Sequence, residues 1–497
     1  MLKNKKSYIE ILVLFIIVMV VKYIFDATSR LDYSYSGDSP IFSMIGQAWS
    51  DGVIPYRDLF DHKGPILFLF YAIASHIKCG LVGLMIVTGI NLTIVLKLIL
   101  SISKKFLANQ SNKIHYLITA LSFVFFQLIR ESAGVTEELS LVFILFPLLL
   151  CVKHLTKVIG GGKLFNQHPY SYSFIYGACF AAIAMIRVNN ASINVGIVLG
   201  FLIVMLKNKC YKELLYNALY CLFGFLAVIL PIIAYFSYHD ALYEMIYATF
   251  IFNWNYRATD IGFHQEVIQN LLWLIPCFYL MVVSILRDRK LGSVYSYFFI
   301  PASIICICAF ANGFSIGHYF VNVLPYYVLS IIFTYELFRV KQKQLMLIIS
   351  FILLSPYYPG IKSNIKAAYY NTIGKSNRAL LDKNIIEGDK KLITFIPKED
   401  YNSVYSFEAL AGFIHLTQNK IYPVGKYFVG QRHQSLCDDK VKSEIDEFHK
   451  TTKVKWIVTK FDAISSPSES FKVLLQNYDL VYATEATNLY RRKADAI

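Results

Sequence analysis

The stretch YSGDSPIFSMIGQAWSDGVIPYRDLFDHKGP, residues 35–65, follows the first hydrophobic segment of the chain. It contains four aspartates, together with Arg57, His62 and Lys63. Polar loops with Gly and Pro between apolar segments often carry binding and catalytic residues. The alternative is a solvated connector between two membrane spans. The DHKGP run at 61–65 and the polar residues further along the chain favour a functional loop.

The composition predicts a polytopic α-helical membrane protein. Of the 497 residues, 56% are hydrophobic and 16% are charged, and the mean hydropathy is +0.48. A soluble chain would have about a quarter of its residues charged. The net charge of +15 does not indicate a nucleic-acid partner, because the Lys and Arg residues lie in small clusters at the ends of apolar segments. We therefore expect membrane lipid around the chain and no nucleic acid.

The basic clusters also predict the topology. The segment Pro65–Ile77 would be roughly 20 Å long as a helix, too short to cross a hydrocarbon core of about 30 Å, so we expect it in the outer interface. With that helix excluded, 18 Lys and Arg residues fall in the cytoplasmic loops, and seven fall in the outer loops before residue 360. We expect a multi-pass protein of the bacterial inner membrane, with a cytoplasmic N-terminus and a retained first span. The eleven predicted spans are 8–27, 81–100, 115–129, 139–152, 174–186, 191–206, 214–236, 267–286, 295–311, 320–338 and 345–358.

The composition changes near residue 360. Strand-like runs at 391–396, 403–407, 455–461 and 480–484 alternate with helical patterns at 408–417 and 441–452. This alternation predicts a small α/β domain over 360–497, after a membrane module at 1–358 whose first outer loop is 28–80. The domain follows an outward span, so we expect it outside the cytoplasm. The nine cysteines show no paired spacing, so we predict neither a disulfide framework nor a zinc site.

The residues that could carry chemistry lie on the predicted outer face. The chain contains no P-loop, GxGxxG or HExxH motif. An enzyme outside the cell's ATP supply needs a donor that is already activated, and a polyprenyl-phosphate sugar fits. Its transfer requires a carboxylate to accept the acceptor's proton and cations to offset the charge on the phosphate. We predict Asp38 as the base and Lys63 as a phosphate ligand beside a helix start. The alternatives are an N-cap for a helix at 39–49 and a snorkelling lysine.

Other outer-face residues complete the predicted site. Acids at a helix start can simply stabilise its dipole, and aromatic residues can simply form an interfacial belt, so each has a structural alternative. A divalent cation, Mg²⁺ or Mn²⁺, between Asp38 and an acid of the 137–138 pair is one possibility, and no metal is the other. We predict phosphate contacts from His62, Arg187, Arg257, His318 and Tyr319, and substrate or metal contacts from Asp61, Glu137 and Glu138.

Four short motifs resemble bacterial membrane glycosyltransferases of the GT-C superfamily, which include the lipid A aminoarabinose transferases and the protein O-mannosyltransferases. They are GDSPIF at 37–42, YRDLFDHKGPILFLFYA at 56–72, TEE at 136–138 and GHYFVNVLP at 317–325. The resemblance covers residues 1–358, and DHKGP looks like the EKPP-type run of the aminoarabinose enzymes. It implies a catalytic aspartate at Asp38, a phosphate-binding lysine at Lys63 and interfacial helices after span one. Asp38 stands alone where the mannosyltransferases carry an acidic pair, so metal use is left open.

The sequence therefore predicts an inverting glycosyltransferase. It would move a sugar from a polyprenyl-phosphate donor to a polysaccharide, teichoic acid or lipid glycan of the cell envelope. Two other functions remain open: a transporter or flippase of polyprenyl-linked sugars, and a glycan polymerase or ligase that uses a lipid-linked oligosaccharide. Buried charges midway through the spans, with Lys22 and Lys97 as the main candidates, would favour a transporter.

Overall fold

The computed structural model of the protein describes residues 2–25, 38–77, 81–130, 134–161, 165–258, 267–311, 317–338, 342–357, 387–388, 390–409, 413–460, 468–484 and 487–494. Most of this chain is helical. In chain order the helices are α1 (Leu2–Phe25), α2 (Ser39–Ser50), α3 (Pro65–Ile77), α4 (Leu81–Phe106), α5 (Asn112–Ile129), α6 (Thr136–Ile159), α7 (Tyr170–Arg187), α8 (Ser192–Lys207), α9 (Tyr211–Tyr238), α10 (Leu242–Ile246), α11 (Phe252–Ala258), α12 (Val267–Trp273), α13 (Ile275–Leu291), α14 (Ser296–Phe310), α15 (Leu324–Leu337), α16 (Gln342–Leu354), α17 (Phe413–Gln418), α18 (Gln431–Cys437), α19 (Asp439–Thr451) and α20 (Glu469–Leu475).

Seven helical segments in the described part of the chain are long and apolar enough to cross a membrane, and the bent pair α12–α13 would make an eighth. The longest of them, Tyr170–Lys207, holds predicted spans five and six, which are separated by a 3-10 turn at Val188–Ala191. The shorter apolar helices α14 and Gln344–Tyr357 coincide with predicted spans nine and eleven. The prediction of a polytopic helical membrane protein is confirmed. The number of crossings and their direction remain predictions.

The helix expected in the outer interface forms as predicted. Pro65 is its first residue, where a missing N–H costs no hydrogen bond. One face is buried, whereas Leu69, Ile73 and Ile77 form an exposed apolar stripe at a spacing of four residues. A short helix with one apolar exposed stripe suits the surface of a bilayer.

The chain folds as two compact units. The first consists of Met1–Phe25, Thr88–Ile233 and Gly262–Lys366, and it contains most of the long apolar helices. Its helices pack closely through small residues, as membrane helices commonly do. A Cβ atom added at Gly177 would lie 1.8 Å from the carbonyl oxygen of Cys221, so the backbones of α7 and α9 approach closely only because glycine is there.

The second unit consists of Asp26–Val87, Ala234–Ile261 and Ala367–Ile497. It therefore contains both the predicted first outer loop and the predicted C-terminal domain. Its four strands are β1 (Val404–Phe407), β2 (Trp456–Lys460), β3 (Tyr478–Ala483) and β4 (Thr487–Arg492). They form one sheet in the order β1-β2-β4-β3, in which only β1 and β2 are parallel.

Helices pack against this sheet, so the predicted α/β domain is confirmed. The rings of Phe407 and Phe471 stack with centroids 3.7 Å apart, which joins β1 to α20. In the tail, the predicted strand at 391–396 is wrong, because residues 390–394 are helical. Leu392, Ile393 and Ile396 are buried there, a spacing that suits one helical face. The strand β4 was not predicted. The predicted helix 408–417 is wrong at its start, because Glu408 and Ala409 are not helical; residues 410–412 lie outside the described residues, and the helix runs over Phe413–Gln418.

Candidate functional site

Asp38 immediately precedes helix α2. Its backbone carbonyl accepts a hydrogen bond from the Phe42 N–H at 3.0 Å, but its carboxylate makes no capping bond. Across the described ranges, no donor lies at hydrogen-bond distance from this half-buried carboxylate. The N-cap alternative for the Asp38 side chain is therefore not what the structure shows. The carboxylate is left with its acceptor sites unused by neighbouring residues.

Helices α2 and α3 pack tightly and fix the two ends of the polar loop between them. A Cβ atom at Gly46 would lie 2.5 Å from the Cβ of Tyr71, so the helices meet where α2 has no side chain. The Phe42 ring makes edge contacts with the Phe68 and Tyr71 rings at 6.1 and 5.7 Å between centroids. Aromatic pairs of this geometry stabilise a packed interface beyond their buried area.

The loop itself is held by internal hydrogen bonds. Tyr56 has a φ of 70°, a left-handed conformation that is costly for a residue with a side chain, and it is completely buried. Its N–H donates to the Leu59 carbonyl at 2.8 Å, and its hydroxyl donates to the Lys63 carbonyl at 2.7 Å. The Asp58 carboxylate accepts from the Ile54 N–H at 2.8 Å. These hydrogen bonds hold the loop backbone in place from Ile54 to Lys63.

Asp61 is a buried carboxylate in this loop. One of its oxygens accepts the Lys63 N–H at 2.9 Å. Burial raises the pKa of Asp61 to about 6, although the nearby charge of Lys63 acts in the opposite direction. The negative charge of Asp38 contributes to the rise, so these two carboxylates lie close enough to interact.

Lys63 and His62 contact each other through their side chains. The Lys63 ammonium and the His62 Nε2 atom form a short hydrogen bond, in which a charged lysine must be the donor and the imidazole the acceptor. The His62 ring stacks on the Tyr256 ring with centroids 5.0 Å apart. The Asn253 side chain donates to the His62 carbonyl at 2.7 Å. Helix α11 therefore supports both the ring and the backbone of His62.

The Lys63 side chain is a buried cation that forms no direct ion pair with a described residue, although the Asp61 carboxylate lies near enough to interact with it electrostatically. Its residue is 9% exposed, and within the described ranges no carboxylate lies within 4.0 Å of its ammonium nitrogen. An ammonium can donate three hydrogen bonds, and His62 accepts one of them. A buried charge in this state is stabilised when an anion binds beside it.

A second cluster of predicted residues lies in the first unit. Glu137, fully buried at the start of α6, accepts from Arg187 at 2.5 Å and from the Thr136 hydroxyl at 2.8 Å. The Arg187 guanidinium lies over the Tyr319 ring, 4.0 Å from its centroid. His318 lies near enough to interact electrostatically with Glu137. The structure thus brings together four residues that the sequence analysis placed on the outer face.

Glu138 belongs to a separate, fully paired group. One of its oxygens accepts from the Lys22 ammonium at 3.0 Å and lies 3.7 Å from Arg130, and the other accepts from the Gly134 N–H at 2.8 Å. Both Lys22 and Glu138 are completely buried. Lys22 is therefore the buried partner of an acid that lies 116 residues away in the sequence.

Within its described residues, the structure provides no site geometry for two of the predictions, the phosphate contact of Arg257 and a bound metal ion. Arg257 lies in helix α11, but its side chain is outside the described residues. In the described part of the chain, no group of three or more His, Cys, Asp or Glu side chains is arranged to hold a metal ion. Sequence reasoning also missed Asn253 and Tyr256, although both lie within four residues of Arg257, which it did predict.

Comparison with solved structures identifies the fold. The crystal structure of ArnT from Cupriavidus metallidurans in the apo state superimposes with a TM-score of 0.57, and 99% of each chain is covered at 10% sequence identity. The chain has an ArnT-like fold. ArnT is a lipid A aminoarabinose transferase with the GT-C fold, so the fold implied by the four short motifs is confirmed. No protein-family model matches the sequence, and no curated protein matches it.

Proposed function

We propose that this ArnT-like protein is an inverting glycosyltransferase. It takes a sugar from a polyprenyl-phosphate donor and transfers it to a glycan or lipid acceptor of the cell envelope. The reaction takes place on the outer face of the bacterial inner membrane. The fold supports this proposal at the level of architecture, and the residues of the first outer loop support the chemistry.

The observation that carries the proposal is the environment of Lys63. Its buried ammonium has no carboxylate within 4.0 Å among the described residues and lies just before the N-terminus of α3. The free N–H groups of a helix N-terminus and a nearby ammonium together attract a phosphate. In the reaction, this positive charge offsets the negative charge that grows on the phosphate as the bond to the sugar breaks.

Asp38 is the proposed general base. Its carboxylate is not used for helix capping, and its charge acts on Asp61, which is two residues from Lys63. A base must be free to accept a proton from the acceptor hydroxyl as that oxygen attacks the anomeric carbon. The new bond forms on the face opposite the departing phosphate, so the configuration at that carbon inverts. The proton of the acceptor hydroxyl passes to Asp38, the bond between the sugar and the phosphate breaks, and polyprenyl phosphate is the leaving group.

The residues of the second cluster remain proposed contacts of the donor phosphate. These are Arg187, His318 and Tyr319, with Arg257 from α11. Glu137, Glu138 and Asp61 remain proposed contacts of the substrate or of a metal. We derive no step through a metal ion, because the carboxylate oxygens of Glu137 and Glu138 already accept hydrogen bonds from protein donors.

The charges within the spans argue against a transporter. Lys22 pairs with Glu138, and Lys97 forms a short bond with Glu10, which also accepts from Lys104 at 3.1 Å. Ionisable groups on a transport path have to exchange partners with the cargo or with water. These lysines instead have protein carboxylates as fixed partners.

The test is a transfer assay with the full chain reconstituted in lipid vesicles. Vesicles receive either radiolabelled polyprenyl-phosphate sugars of several kinds or radiolabelled lipid-linked oligosaccharides, together with an extract of envelope glycans and lipids. We expect label in the acceptor fraction, with the anomeric configuration of the product opposite to that of the donor. Vesicles that carry Asp38→Asn protein are the inactive control.

Three results would contradict the proposal in different ways. A product with retained configuration would exclude the inverting mechanism. Transfer only from lipid-linked oligosaccharides would indicate a polymerase or ligase. Movement of the lipid-linked sugar between leaflets, without transfer from any donor, would indicate a flippase.

A further inference from the structure

Phe60 directly precedes the Asp61-His62-Lys63 segment and is enclosed by aromatic rings. It is 1% exposed, and its ring makes an edge contact with Phe252 at 5.2 Å between centroids. On another side it contacts the ring of Tyr427, at 4.9 Å. Phe60 therefore anchors the start of the segment that carries the proposed phosphate ligand.

The backbone of Phe60 is held by the C-terminal domain as well. Its N–H donates to the carbonyl of Lys426 at 2.8 Å, so residues 426–427 bind both the main chain and the side chain of Phe60. The Lys426 ammonium also lies 6.0 Å from the Phe60 ring centroid. A short stretch of the C-terminal domain thus contacts the polar loop in three ways.

Tyr427 is itself fixed by helix α19. Its hydroxyl donates to the Glu444 carboxylate at 2.7 Å, and the Lys426 ammonium lies 3.4 Å from the same carboxylate oxygen. Tyr427 is 5% exposed, so its ring is held on several sides. A ring that is fixed in this way can transmit the position of α19 to Phe60.

We propose that Tyr427 is a positioning residue for donor binding: through Phe60 it places Lys63 where the lipid phosphate binds. This inference rests on the proposed function, because it assigns a role at the same phosphate site. It also gives the C-terminal domain a role in the reaction, since residues 426–427 of that domain pack against the loop that carries the proposed phosphate ligand. Tyr427 does not touch the donor; it acts through Phe60 and the two residues, Asp61 and His62, that lie between Phe60 and Lys63.

The contacts point to donor binding rather than to the proton transfer step. Phe60 is three residues from Lys63, and the loop bonds of Tyr56 and Asn253 hold only backbone carbonyls near the lysine. Loss of the Tyr427 ring removes the contact on one side of Phe60, so the segment that leads to Lys63 is held less firmly and the ammonium can shift. An aromatic pair contributes on the order of a threefold to tenfold change in an equilibrium, so we expect donor affinity to fall by about that factor.

The experiment measures binding of polyprenyl monophosphate to the full chain in detergent micelles, by calorimetric titration. The variants are Tyr427→Leu, which removes the ring, and Tyr427→Phe, which keeps the ring and loses the hydroxyl. Each is made in the wild-type background and in the Lys63→Ala background. Val473→Ala, an exposed substitution in α20 of the same domain, is the surface control.

We expect Tyr427→Leu to weaken binding about threefold to tenfold, Tyr427→Phe to weaken it by a smaller factor because the ring remains but loses its bond to Glu444, and Val473→Ala to leave it unchanged. In the Lys63→Ala background, Tyr427→Leu should cause no further loss of binding. A residue that acts only by positioning the Lys63 ammonium has no effect once that ammonium is absent. Where transfer is measurable, the donor KM should rise in Tyr427→Leu and kcat should stay near the wild-type value. A role in folding alone would lower the amount of folded protein without this split.

The outcomes separate the two proposals. Unchanged binding by Tyr427→Leu, or an equal loss in both backgrounds, overturns the positioning role and leaves the proposed function standing. Normal binding with no transfer by wild type overturns the proposed function, while the positioning role is still decided by the titrations. No binding of polyprenyl monophosphate by wild type overturns both.

Discussion

The two charged regions of the molecule differ in whether their buried charges have partners. At the start of α6, Glu138 accepts from Lys22 and from a backbone N–H, and Arg130 lies beside it. In the first outer loop, by contrast, no described carboxylate lies within 4.0 Å of the Lys63 ammonium, and no donor among the described residues is hydrogen-bonded to the Asp38 carboxylate. A fully paired buried charge stabilises the fold, because removing either partner leaves the other uncompensated. A buried charge that forms no ion pair is instead stabilised when a charged ligand binds beside it.

The largest effect that follows from this comparison is expected for Asp38→Asn. The variant keeps the size of the side chain but cannot accept the proton of the acceptor, so the transfer rate should fall by roughly 10²–10⁴-fold. The thermal midpoint should stay close to that of wild type, because the carboxylate makes no capping bond. The rate is measured per folded molecule by transfer of radiolabelled sugar.

Asp58→Asn is the matched control in the same loop. The Asp58 carboxylate is already engaged by Arg57 at 2.8 Å and by the Ile54 N–H. We expect this variant to retain transfer. If Asp38→Asn transfers sugar as fast as Asp58→Asn does, the base lies elsewhere and the comparison fails for the first outer loop.

The next effect concerns the paired region and appears in stability. Glu138→Gln leaves the charges of Lys22 and Arg130 buried without their acid, which should lower the free energy of unfolding by about 3–5 kcal/mol. The double variant Lys22→Met with Glu138→Gln also removes the Lys22 charge, which is one of the two left without the acid, and should recover part of that loss. Thermal unfolding in detergent measures the stability of the single and the double variant. Equal midpoints for wild type and Glu138→Gln would show that the pair contributes nothing to the fold.

A smaller effect depends on pH and concerns Asp61. Its folded pKa of about 6 lies above the value of about 3.9 expected in an unfolded chain. Its contribution to stability is therefore complete below pH 3.9 and is lost as the pH rises through 6. Asp61→Asn cannot ionise and still offers an oxygen to the Lys63 N–H. We expect the variant to be more stable than wild type above pH 6, by at most about 3 kcal/mol, and to lose this advantage near pH 4.

The measurement is the thermal midpoint of both proteins between pH 4 and pH 8. The difference between them should grow with pH and level off above the folded pKa. If the midpoints of the two proteins differ by the same amount at every pH, the folded pKa of Asp61 is not raised and its carboxylate is not buried as described.

Much of this architecture could be predicted from the sequence because hydropathy and charge act locally. Runs of apolar residues with basic residues at their ends predicted the membrane helices, and the length of Pro65–Ile77 predicted a helix that does not span. The position of Asp38, directly before α2, also followed from local pattern. In the tail, the short run at 391–396 suited a strand and a buried helix equally well, and the helix formed.

The partners of the charged residues could not be predicted, because they come from distant parts of the chain. Lys22 and Glu138 are 116 positions apart, and Asn253 and His62 are 191 apart. Periodicity and spacing say nothing about such contacts. For this reason the sequence analysis could name Lys63 as a phosphate ligand and Lys22 as a charge that would favour a transporter, but only the structure shows that Lys22 forms an ion pair and that Lys63 forms none with a described residue.

These two lysines provide the most direct test of the account, since the same substitution is made at two sites that are each at least nine-tenths buried. Transfer rate and thermal midpoint should be measured together for Lys63→Ala and Lys22→Ala. We predict that Lys63→Ala loses transfer by about 10²-fold or more and unfolds at a midpoint near that of wild type. Lys22→Ala should lose about 3–5 kcal/mol of stability and keep its transfer rate per folded molecule. The account is contradicted if Lys63→Ala still transfers sugar at the wild-type rate, or if Lys22→Ala is as stable as wild type.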